Sequence, residues 1–74
     1  MIIDLQVICP INIPQSIYEE IETIVNVYNL MIEDDNLKEA KRYFIDRIET
    51  LKYKSSEEEK QYYNKVYLNY ISSM

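Results

Sequence analysis

With 74 residues the chain has room for one small domain, and it carries a net charge of −5 with no histidine, no glycine and a single cysteine. These counts exclude a histidine-based catalytic or zinc centre and an intrachain disulfide, and no apolar run reaches the ~20 residues of a membrane-spanning helix. Chains this short bury only about 60% of their unfolded surface, so association with a second copy is the expected way to complete a core.

The first stretch, Ile2 to Ile13, is rich in β-branched residues and close to alternating. Ile3, Leu5, Val7, Cys9, Ile11 and Ile13 fall on one side; Asp4, Gln6, Ile8, Pro10 and Asn12 fall on the other. That period of two predicts a half-buried strand. Nothing later in the chain repeats it, and a strand cannot leave its backbone groups unpaired. The expectation is an antiparallel ribbon formed with the same strand of a second copy. The start lacks the basic residues of a secretory signal and has Asp4 in its apolar run, so a cytoplasmic protein is expected. Cys9 lies on the apolar side, where a small buried hydrophobe is the ordinary role of a free cysteine.

Three helices are predicted after Pro14. The first runs to Met31, opened by a Ser16/Glu19 capping box, with Ile17, Ile21, Ile24, Val25, Tyr28 and Met31 as its apolar stripe. Ile32 to Asp35 forms a turn. Asn36 opens the second helix, which ends near Tyr53 or Lys54 and carries Leu37, Ala40, Phe44, Ile48 and Leu51 inward, with Tyr43 at the flank. Ser56 and Glu59 make a further capping box for a last helix with Tyr63, Val66, Tyr67, Tyr70, Ile71 and Met74 on one face and Tyr62 at its edge. Fold class is therefore mostly α with one N-terminal strand, β-α-α-α.

Residues 1–37 hold seven acids and no Lys or Arg, whereas residues 38–74 hold all eight basic residues and six acids. No nucleophile stands beside a base and no Gly-rich turn can cradle phosphate, so no enzyme activity, cofactor or metal is expected. Asp34-Asp35-Asn36 lacks the spacing of a calcium loop. The tyrosines of the last helix lack an interleaved basic face and are expected to pack. Lys38, Lys41 and Arg42 form the one dense basic cluster. It is either a solvated face, with Arg42 paired to Glu39 or Asp46, or a phosphate contact.

Ile11-Asn12-Ile13-Pro14 leading into Ile17, Glu20, Ile21, Ile24 and Tyr28, followed by Asn36 to Leu51, resembles the ribbon-helix-helix family of DNA-binding dimers. The likeness covers about residues 2–54 as a dimerisation domain, with residues 55–74 as a C-terminal helical extension. It looks like an elaborated member of the kind expected in a virus of thermophilic archaea, working in the host cytoplasm. The resemblance implies an intertwined homodimer whose paired strands enter the major groove of duplex DNA as a transcriptional regulator. The DNA contacts it implies are Gln6, Ile8, Asn12, Asn36, Lys38, Lys41 and Arg42. The dimer interface it implies is Ile3, Leu5, Val7, Cys9, Ile21, Phe44 and Ile48. Two features depart from the family: an inter-helix turn with three acids and no glycine, and a ribbon without Lys or Arg. They support a second expectation, an acidic dimeric module that binds or inhibits a basic host protein.

Overall fold

A computed structural model describes residues 2–73 and contains four helices: α1 (Leu5–Ile8), α2 (Gln15–Glu33), α3 (Leu37–Lys54) and α4 (Glu57–Ser72). No strand occurs among the described residues, so the expected β-α-α-α order and its ribbon are corrected to four helices. The physical reason lies in Asp4, Asn29 and Asn69. The Asp4 carboxylate accepts the Gln6 N–H at 2.9 Å, while its carbonyl accepts the Val7 N–H at 3.0 Å. Together these wind the next residues into one helical turn, overriding the β preference of Val7 and Ile8.

The backbone on either side of that turn is paired by amide side chains in place of a second strand. Asn29 of α2 accepts the Ile3 N–H at 2.9 Å and donates to the Ile3 carbonyl at 3.0 Å. Asn69 of α4 donates to the Ile8 carbonyl at 2.9 Å. The hydrogen-bonding demand that called for a partner chain is met at these points within the chain itself. The alternating pattern fails in the same region. Ile3 and Ile8 are both buried although five residues apart, and Val7 and Ile11 are 60% and 99% exposed.

The three long helices are joined by short connections, and α3 packs against both α2 and α4, as in an antiparallel up-down-up bundle. The segment carrying α1 packs against α4 and α2 and occupies the side between them. At the centre, each long helix contributes one ring. Phe44 and Tyr70 stack with centroids 4.0 Å apart, and Tyr28 stands edge-on to both at 5.7 Å. Aromatic pairs in these geometries contribute about 0.5–1.5 kcal/mol each beyond their burial.

The apolar stripes place Ile17, Ile21, Ile24, Val25 and Tyr28 of α2, Ala40, Phe44 and Ile48 of α3, and Tyr63, Val66 and Tyr70 of α4 in one core with Ile3 and Ile8. Met31, Leu51, Tyr43, Tyr62 and Tyr67 pack partly buried around it, while Leu37 and Ile71 are exposed. Met74 lies outside the described residues.

Helix ends depart from the expected caps in two of three cases. Helix α2 starts one residue before Ser16, with Pro14 as its cap and no capping side chain. Asn36 precedes α3 but its side chain caps nothing. The Ser56/Glu59 box forms completely, with the Ser56 hydroxyl accepting the Glu59 N–H and the Glu59 carboxylate accepting the Ser56 N–H.

The turn between α2 and α3 is a Schellman closure: the Asn36 N–H donates to the Met31 carbonyl at 2.9 Å and the Asp35 N–H to the Ile32 carbonyl at 3.0 Å. Asp35 holds the left-handed position, with φ of 61°, that glycine ordinarily takes.

Candidate functional site

The residues expected to contact DNA do not form one surface. Ile8, expected to point outward, is wholly buried in the core beneath α4, a consequence of the helical turn that replaces the strand. Gln6 and Asn12 are exposed. Gln6 lines an open cleft of about 400 Å³ with Cys9, Pro10, Ile13, Gln15 and Tyr18, under the connection that leads into α2. Asn36, Lys38, Lys41 and Arg42 follow the opposite end of α2, and Asn12 lies just before its start, so roughly 28 Å of helix separates the two groups.

Within the basic group, Lys38 and Arg42 are exposed one turn apart and Lys41 is half-buried. The ion pairs expected for Arg42 with Glu39 or Asp46 are not formed. Among the described residues the ion pair present joins Lys60 to Glu57 at 3.2 Å. The backbone N–H of Asn36, one of the residues expected to contact DNA, is taken by the Met31 carbonyl.

The residues expected at a dimer interface are mostly interior to the single chain. Ile3, Ile21, Phe44 and Ile48 are buried in its core; Leu5 and Cys9 pack partly buried against it; Val7 is exposed. Burial pushes the Cys9 thiol up from 9.0 to about 11, which keeps it protonated and unreactive near neutral pH. At the far end of the bundle Tyr63 is also raised, first by burial, then against a lowering by the Ser55 hydroxyl and with the Glu20 and Glu59 carboxylates adding to the rise.

The feature with the clearest chemical character is the outer face of α2. At 100° per residue, Glu19, Glu22, Asn26, Leu30 and Glu33 share one side of the helix, opposite Ile21, Ile24 and Tyr28. All five are exposed, and Asp34 and Asp35 continue the acidic run at the helix end. The two Asp residues and Glu33 sit at the negative pole of the helix dipole, where no intrahelical cation answers them. The face carries two groups of carboxylates, Glu19 with Glu22 near the start of α2 and Glu33 with Asp34 and Asp35 at its end, about 17 Å apart along the axis with Asn26 and Leu30 between them.

The sequence gives no signal for Asn29 and Asn69 beyond their position beside the buried Tyr28 and Tyr70. Both read as ordinary polar residues at the edge of an apolar stripe, yet they fix the N-terminal segment. Compared with protein-family models, with curated proteins and with solved structures, the chain matches none.

Proposed function

We propose that the protein is a small interaction module whose acidic α2 face docks on a basic protein surface, of the kind that otherwise holds nucleic acid. The supporting observation is the two groups formed by Glu19 with Glu22 and by Glu33 with Asp34 and Asp35, all exposed and none in an ion pair among the described residues. Carboxylates aligned without counter-charges repel one another, and a cationic partner relieves that repulsion while speeding encounter at low salt. Leu30 supplies an apolar contact one turn before Glu33, where charge alone gives little affinity.

Immobilised protein exposed to extract of its source cells tests this. The expected result is a partner retained after nuclease treatment, released by about 0.5 M salt, and lost when Glu19, Glu22 and Glu33 are changed to Gln. A Glu57, Glu58 and Glu59 to Gln control on α4 should keep it. Retention that disappears with nuclease, or that ignores the α2 substitutions, overturns the proposal. Labelled duplex DNA is the companion measurement. Binding at low salt that depends on Lys38 and Arg42 would favour the nucleic-acid alternative.

A further inference from the structure

A cavity of about 210 Å³ opens where the N-terminal segment meets α2 and the end of α4. Ile2, Ile3 and Val7 line one side of it, and Tyr28 and Tyr70, each 1% exposed, close the deep side. Ile2 and Val7 are 63% and 60% exposed and form the lip. Water gains few hydrogen bonds against such walls, which is the condition under which a cavity takes up an apolar group instead.

Two polar groups beside this space are answered within the fold. The Ile3 peptide is held on both edges by Asn29, and the Ser73 hydroxyl donates to the Asn69 carbonyl at 2.9 Å. The carboxylate of Asp4, which also lines the cavity and is exposed, is answered only in part. Its Oδ1 accepts the Gln6 N–H at 2.9 Å, and no ion pair neutralises it among the described residues. Asp4 is the one charged residue lining the cavity, α2 contains no Lys or Arg, and the last turn of α4 contains none. An apolar hollow with a single uncompensated negative charge at its edge is matched by a cation with an apolar body.

We propose that this cavity binds a small amine whose apolar body is no larger than one substituted ring, with the body among the apolar side chains and the ammonium group on the Asp4 carboxylate. The volume exceeds the roughly 150 Å³ that holds benzene in an engineered cavity, which leaves room for a ring with a short arm. A carboxylic acid is repelled at the mouth, and a neutral molecule of the same shape gains the apolar contacts alone. The site lies on the N-terminal segment, apart from the outer face of α2, and stands whether or not that face docks a basic protein.

Titration of the isotope-labelled protein with phenethylamine and with its neutral counterpart phenethyl alcohol, at neutral pH and low salt and followed by amide NMR, tests the assignment. Saturable shifts are expected at Ile3, Val7 and Ser73, with the amine binding about threefold to fivefold tighter than the alcohol, the worth of one partly exposed ion pair. Asp4→Asn removes the charge but keeps an oxygen that can accept the Gln6 N–H, so the variant is expected to fold. It should leave the alcohol unchanged and bring the amine down to it, and about 0.5 M salt should do the same with the unaltered chain. Val7→Trp at the lip should weaken both compounds. Absence of saturable shifts with either compound, an amine preference that survives Asp4→Asn, or amine-induced shifts confined to Glu19, Glu22 and Glu33 overturns the proposal.

Discussion

Two amides and one thiol carry the most specific chemistry of the N-terminal segment. Asn29 serves Ile3 as the edge of a neighbouring strand would, with one donor and one acceptor on a single side chain. Asn29→Asp keeps the shape but replaces the donor by an oxygen facing the Ile3 carbonyl. It should lower stability by about 1–2 kcal/mol, read as a reduced urea midpoint with faster amide exchange at Ile3. An unchanged midpoint would mean that the segment is not held there. Ile8→Ala, at a fully buried position, should cost more, about 2–5 kcal/mol. Cys9 gives a pH signature. With its folded-state pKa raised from 9.0 to about 11, the unfolded chain releases this proton first, so stability is full below pH 9 and falls as pH rises through that window. The raised Tyr70 adds in the same direction. Urea midpoints should therefore decline across alkaline pH, and less steeply in Cys9→Ala; equal slopes for the two proteins would refute the assignment to this thiol.

Among the elements, the turns are where single substitutions give opposite outcomes. Asp35 sits at a left-handed position without the freedom of glycine, so Asp35→Gly should raise stability by about 0.5–1 kcal/mol and lift Tm by several degrees. Ser56→Ala removes the complete capping box of α4 and should lower stability by about 1 kcal/mol. The three long helices were legible because each carries an apolar stripe of period near 3.6, and α2, α3 and α4 begin and end within two residues of where that period points. The N-terminal stretch was not legible for a physical reason. A short apolar run satisfies a strand and a buried turn equally well, and what decides between them here lies in Asn29 and Asn69, far away in sequence. Ser16 misled in the same way: Pro14, two residues before it, takes the cap position in an extended conformation, so the helix starts at Gln15, two residues earlier than a Ser16 cap would place it. The acidic face of α2 could be read directly, since charge and helical spacing are both sequence properties; the apolar cavity beside Asp4 could not, since it depends on how the N-terminal segment meets the helices.

For the molecule as a whole, an unpaired strand is what would demand an obligatory twin, and no strand occurs among the described residues. The radius of gyration is 11.6 Å, against about 11 Å for a compact single chain of this length. Sedimentation at micromolar concentration is expected to give a species of 9.0 kDa. A doubled mass that persists on dilution would restore the dimer. One consequence follows from the bond that joins Asn69 to the Ile8 carbonyl across 61 residues. The Ile8 end of the earliest-made piece of this fold cannot settle until α4 has emerged from the ribosome, so during synthesis Ile8 stays uncovered and open to chaperones after Asn29 is already available to Ile3. The N-terminal segment should then be the last part protected in a stalled nascent chain, after α2 and α3 have packed together.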